Sequence, residues 1–293
     1  MTAPLGPIAL IGTGLIGGSW SLALREAGLV NGPITGCGRS LANLETARDR
    51  GIIDTFTTDA REAVTGADLV ILAVPLGAIG PVFGRMRDAL EPDAVITDVG
   101  SAKQGVMADA RRMLGDAAER FVPGHPVAGN ERTGAEAAFP ELFRNRQVIL
   151  TPDETTAAWA SDRVQALWEA VGARVVRMTA AHHDDVLAAT SHLPHMLAYS
   201  LVDTLSRWSD RDEVFAYAAG GFRDFTRIAS SDPEMWRDIC AANREALLTA
   251  LDRYMADLGE LRGAIHAGDT ARLEEVFVNA RAARDRFLAM LES

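Results

Sequence analysis

The chain has 293 residues, 48% apolar and 24% charged, enough for two domains with buried cores. A formal net charge of -11 disfavours non-specific nucleic-acid binding, which needs a basic surface, but leaves room for a local anion site. Two cysteines without pair spacing, Cys37 and Cys240, argue against a disulfide framework or zinc ribbon, and no apolar run is long enough to span a membrane. A cytoplasmic protein is expected.

The N-terminal stretch MTAPLGPIALIGTG lacks a basic region and reads as a strand rather than a signal peptide. Short apolar runs then alternate with helical segments: PIALI (7–11), ITGC (34–37), LVILAV (69–74), AVITDV (94–99), RFVPG (120–124), QVILT (147–151) and RVVRM (174–178). This predicts an α/β Rossmann-type domain over 1–178, with a parallel sheet covered on both faces.

Directly after the first run, IGTGLIGGS sets Gly12, Gly14 and Gly17 in a G-x-G-x-x-G, with Leu15 and Ile16 at the start of the next helix. Gly12 suits the tight turn, Gly14 the approach of a pyrophosphate and Gly17 close helix–strand packing. The helix N-terminus would face the phosphates. The second run ends in GCGRS, without the acid that usually binds a ribose hydroxyl. Arg39 suits a 2′-phosphate and Ser40 would hydrogen-bond it, so NADP is expected over NAD.

AVPLGAI (73–79) places Val74 and Pro75 where the nicotinamide ribose would pass, and DVGSAK (98–103) places Ser101 near the nicotinamide. Ser101 suits a helix N-cap equally well. RFVPG leads into GHPVAGNERTG (124–134), which brings His125 to the same ligand-facing edge. There a neutral imidazole accepts a proton from a substrate hydroxyl while hydride leaves the same carbon. The alternative for His125 is a structural role in the loop.

Beyond residue 179 the strand-like runs stop, and an all-helical domain is expected over 179–293. Residues 180–208 form one helical stretch with a kink expected at Pro194. A glycine-containing loop is expected over 218–236 and a long helix from about Pro233. Leu247, Leu251, Tyr254, Leu258, Leu261 and Ile265 form an apolar stripe along that helix. HAGD (266–269) breaks the chain before a last helix over 270–291. Long helices with few short partners suggest a homodimer.

Three motifs in order, GHPVAGNERTGAEAAFPELF, SHLPH (191–195) and GFRDFTRIASSDPEMW (221–236), resemble the prephenate/arogenate (cyclohexadienyl) dehydrogenases over nearly the whole chain. The resemblance implies NAD(P)-dependent oxidative decarboxylation of a cyclohexadienyl ring in tyrosine biosynthesis. It makes His125 the acceptor for the ring hydroxyl, with Ser101 orienting it and touching the nicotinamide. It makes Arg227, rather than Arg223, the substrate-binding arginine. His192 and His195 would line the substrate pocket, His195 at the side-chain end. Glu131 and Trp236 match pocket positions, as a gate and a partner-subunit contact, with a solvated loop acid and a packing aromatic as equal alternatives. The second histidine of SHLPH suggests prephenate use or dual specificity. No fused mutase segment and no added regulatory domain are expected.

A metal site joining His183 to the SHLPH histidines is disfavoured, because His183 and His192 lie nine positions apart, on opposite faces of a straight helix. A 3-hydroxyacid-type dehydrogenase is the enzymatic rival. It would need a lysine in the helical domain, whereas the one lysine of this chain is Lys103. A nucleotide-sensing protein without turnover is the rival from another class.

Overall fold

The structure is a computed structural model that describes residues 4–129 and 132–292. Residues 1–244 and 245–293 form separate compact units.

The first unit is built on a six-stranded parallel sheet, ordered β3-β2-β1-β4-β5-β6. Its strands are β1 (Ile8–Ile11), β2 (Ile34–Cys37), β3 (Thr55–Thr57), β4 (Leu69–Leu72), β5 (Val95–Asp98) and β6 (Phe121–Val122). Helices α1 (Leu15–Glu26), α2 (Leu41–Asp49), α3 (Ala60–Val64), α4 (Leu76–Met86) and α5 (Gln104–Met113) connect them. Alternation along each strand feeds both faces. Ile8 and Leu10 join a core with α1 residues Trp20 and Leu24, while Ala9 and Ile11 join the core that holds Phe83 and Met86 of α4. This order places a topological switch point between β1 and β4, outside whose carboxyl ends ligands bind.

The run at 120–124 is divided at Pro123. β7 (Gly124–Pro126) leaves the main sheet and pairs antiparallel with β8 (Gln147–Leu150), which pairs parallel with β9 (Arg174–Arg177). β7 and the last two runs therefore build a second, three-stranded sheet instead of extending the first. Helix α6 (Ala158–Ala170) links β8 to β9, and its Trp168 stacks on Trp20 of α1 at 3.7 Å between ring centroids. β3, with the weakly apolar sequence TFT, carries too little pattern to be read from the sequence.

The stretch expected to kink at Pro194 is α7 (Ala180–Leu187), a π-helical turn over Ala188–His192, and α8 (Leu193–Ser206). Pro194 brings no N–H and its ring crowds the preceding turn, so the chain widens just before it. Residues 218–236 are not an open loop. They form α10 (Gly220–Thr226), preceded by α9 (Arg211–Ala216), then a 3-10 turn over Arg227–Ser230 and the start of α11 (Pro233–Ala242). The helix expected to run on from Pro233 stops at Asn243, and α12 (Arg244–Ala267) follows.

In the second unit, Gly268 at φ +66° turns the chain between α12 and α13 (Thr270–Glu292). Tyr254, Leu258 and Ile265 of the stripe are exposed, as are Phe277, Val278 and Phe287 of α13. Among the described residues, no helix is long and apolar enough to cross a membrane.

Candidate active site

At the end of β1 the three glycines meet three different demands. Gly12 sits at φ +98°, where a side chain would press into the Ala73 carbonyl. A Cβ on Gly17 would strike Ala73 and the Gly12 carbonyl, so this glycine lets α1 pack tightly on the sheet. Gly14 has nothing within 4 Å of where its Cβ would be. It is also the N-cap of α1 and supplies no side-chain cap. The amides of Leu15, Ile16 and Gly17 precede the first i→i−4 bond, from Gly18 to Gly14, at 2.8 Å. Open space in front of an uncapped helix N-terminus fits a pyrophosphate. The Leu15 side chain is buried, so only its backbone serves that role. Val74 and exposed Pro75 follow β4 at the same edge, Pro75 as N-cap of α4. After β2, Arg39 is exposed and Ser40 Oγ caps α2 by accepting from Asn43 N at 3.3 Å.

The end of β5 is fixed by a buried ion pair. Lys103 Nζ lies 2.5 Å from Asp98 Oδ2, and both side chains are fully buried. Lys103 also donates to the Gly124 carbonyl at 2.7 Å, and Asp98 accepts from Gly124 N and Gly100 N. Burial lowers the ammonium pKa against the pull of Asp98. This pair holds the Ser101 loop and the first residue of β7 together, which puts His125 beside the carboxyl end of β5.

His125 Nδ1 lies 2.9 Å from His183 Nε2, and His183 Nδ1 lies 2.8 Å from Asp184 Oδ1. Asp184 accepts in addition from the backbone N–H groups of Lys103 and Gln104, at 2.8 and 2.9 Å. Burial raises the Asp184 pKa, but the hydrogen bonds from His183, Gln104 and Lys103 outweigh it and hold the carboxyl below its ordinary value. Burial, with His183, Lys103 and His192 adding to it, holds the His125 pKa well below 6.5. Its Nε2 makes no hydrogen bond among the described residues, and the ring is partly exposed.

Two expectations for Ser101 are corrected here. It makes no hydrogen bond to His125, whose Nδ1 is taken by His183. Nor does it cap α5: the N-cap is Lys103, and Asp184 from α7 accepts from the first amides. Ser101 stays half-exposed at the sheet edge.

His192 is also corrected. It is fully buried and lines no open space. Asn243 Nδ2 donates to its Nδ1 at 3.1 Å and to the Asp184 carbonyl at 2.8 Å. Desolvation pulls its pKa down to about 4. Of the SHLPH pair only His195 faces outward, its Nδ1 donating to the Ser191 carbonyl at 2.8 Å. Trp236, expected at a partner contact, is buried within this chain, with its ring 3.7 Å from that of His195. Arg227 is exposed in the turn after α10, and that turn is tied to α8 by a 2.6 Å bond from Tyr199 Oη to the Ser231 carbonyl. Arg223 is exposed beside Asp224. Glu131 lies outside the described residues.

Sequence reasoning missed His183 and Asp184 as partners of His125, and missed Asp98, Lys103 and Asn243 as the frame around them. A sole lysine in DVGSAK, five residues after an acid at a strand end, was the available signal.

Residues 20–177 match a family model described as "Prephenate dehydrogenase, nucleotide-binding domain" and residues 179–279 one described as "Prephenate dehydrogenase, dimerization domain". The chain is 42% identical over 279 residues to a cyclohexadienyl dehydrogenase of Zymomonas mobilis subsp. mobilis, covering 94% of each chain. It is 36% identical over 287 residues to a prephenate dehydrogenase of Bacillus subtilis, covering 95% of this chain and 75% of that one. The crystal structure of prephenate dehydrogenase from A. aeolicus, in complex with hydroxyphenyl propionate and NAD+, superposes with a TM-score of 0.91 at 35% identity, covering 98% of this chain and all of the other.

Proposed function

The chain belongs to the prephenate dehydrogenase family, and from that premise we propose how it works. It is an NAD(P)-dependent oxidoreductase that oxidatively decarboxylates prephenate or arogenate, in tyrosine biosynthesis. The observation that carries the mechanism is His125 at the carboxyl edge of the sheet, Nδ1 engaged and Nε2 unpartnered among the described residues.

When bound, the nicotinamide supplies a hydride acceptor. Gly12, Gly14 and the amides of Leu15, Ile16 and Gly17 would hold its pyrophosphate, with Val74, Pro75 and Ser101 along the nicotinamide half. NADP is the proposed preference: Arg39 offers a guanidinium for a 2′-phosphate and Ser40 a hydroxyl beside it.

His125 Nε2 accepts the proton of the ring hydroxyl as hydride leaves the carbon bearing it. The carbon–carboxylate bond then breaks, its electrons enter the ring, and carbon dioxide departs. The proton returns to the oxygen as the ring becomes aromatic, so His125 ends neutral. Aromatisation drives the reaction, so the protein's task is to orient the ring and polarise its hydroxyl. Arg227 holds a substrate carboxylate, and His195, backed by Trp236, meets the side-chain end. Residues 1–178 bind the dinucleotide. Residues 179–293 bind substrate and dimerise, the exposed stripe on α12 meeting a second copy. A cytoplasmic location and dual specificity for the keto and amino substrates complete the reading.

The test is the initial rate of reduced-nicotinamide formation with prephenate, with NADP and NAD run side by side, and then with arogenate. Turnover with NADP preferred is expected. Turnover with NAD alone would overturn the cofactor preference, and silence with both substrates would overturn the reaction.

A further inference from the structure

His125 is one end of a chain of three groups, and its far end decides what its near end can do. Asp184 is an ionised carboxylate that accepts from two backbone amides, so the bond to His183 is donated by His183 Nδ1–H. If His183 is neutral, its Nε2 is bare and accepts from His125 Nδ1–H. That leaves His125 Nε2 with a lone pair toward open space. If His183 carried a second proton, it would donate instead, and His125 would present an N–H that cannot take a proton from a hydroxyl.

We propose that His183, anchored by Asp184, is a positioning residue that fixes His125 in the Nδ1–H tautomer and takes up charge when His125 accepts the substrate proton. The inference rests on the dehydrogenase reading above. The step balances internally. The hydroxyl proton goes to His125 Nε2, and the Nδ1 proton shifts to His183 Nε2 beside the Asp184 carboxylate. Both protons move back when the ring oxygen is reprotonated.

Location supports this role. His183 is fully buried, and its ring lies 5.1 Å from that of His125 at 66°, a geometry set by the hydrogen bond rather than by stacking. Among the described residues, the other charged or titratable groups facing His125 are Lys103 from the β5–α5 loop and His192 from the π-helical turn, and both, like His183 itself, oppose a positive charge on the His125 ring. Asp184 is the anion behind His183, while the Asp98 carboxylate is already engaged by Lys103. The low proton affinity of His125 keeps it neutral at rest, and a relay toward Asp184 gives the transferred proton a place to be stabilised.

The test compares wild type with His183→Phe and His183→Gln. Phenylalanine keeps bulk and removes the acceptor, whereas a glutamine carbonyl still accepts from His125 Nδ1–H. For His183→Phe, kcat should fall by on the order of 10²-fold. KM for the cofactor should be unchanged. Glutamine should restore part of kcat. A kcat within threefold of wild type, or a loss of kcat that glutamine does not partly restore, would overturn the relay while leaving the dehydrogenase reading intact. Nitrogen NMR of 15N-histidine-labelled wild type gives a readout independent of both variants and of turnover. It should show His125 protonated at Nδ1 and bare at Nε2, and the opposite tautomer would overturn the proposal even if neither variant folds or neither substrate reacts.

Discussion

His192 is an imidazole with no exposed surface, held by Asn243 and kept neutral by the cost of charging it in a dry pocket. In the unfolded chain it would titrate near 6.5, and in the folded one at about 4. The unfolded state therefore binds more protons between these values, so stability falls as pH falls through that window. The loss attributable to His192 is about 3 kcal/mol. Chemical denaturation at pH 7 and pH 4 should show that loss in wild type, and His192→Gln, which still accepts from Asn243, should show a smaller one by about that amount. Equal pH dependence in the two proteins would contradict the assignment. At this scale the sequence was readable where one residue answers to one constraint. Gly12, Gly14 and Gly17 each fit a demand of the turn, and His125 follows from its place after a strand. The partner of His125 was not readable, because His183 arrives from a helix 58 residues on, and only packing selects it over Ser101.

The strands of the first unit declare themselves by unbroken apolar runs, since a parallel sheet buries both faces. The second sheet hides among them: QVIL and RVVR have the composition of any buried strand, and nothing local says which sheet they join. The helix breaks divide in the same way. Pro194 announces the π-helical turn, but Asn243 ends α11 because its side chain is drawn to His192 and the Asp184 carbonyl. The element that tests the cofactor reading is the start of α1. Gly14 has open space where a Cβ would go and a φ of −83°, which any residue adopts. Gly14→Val should therefore fold, with its melting temperature little changed, and bind the dinucleotide at least about tenfold more weakly, a penalty of roughly 1.4 kcal/mol. An unchanged cofactor Kd would mean that the phosphates lie elsewhere.

On the scale of the whole molecule, the chain joins an open-edged nucleotide-binding sheet to helices that supply the other half of a site. His125 and Asp98 come from the sheet side, and His183, Asp184, His192 and Asn243 from helical segments beyond residue 179. No single segment holds the chemistry, which is why composition and charge alone said little about it. The apolar stripe of α12 was legible from its period, and the exposure of its Tyr254, Leu258 and Ile265 is what the proposed dimer would cover. The central claim is that His125 Nε2 takes the hydroxyl proton and contributes little to holding the cofactor. The most direct measurement is on His125→Asn, with cofactor Kd by fluorescence titration and single-turnover reduced-nicotinamide formation in the same preparation. The account predicts an unchanged Kd and a rate lower by on the order of 10²–10⁴-fold. A rate within a few-fold of wild type would contradict it.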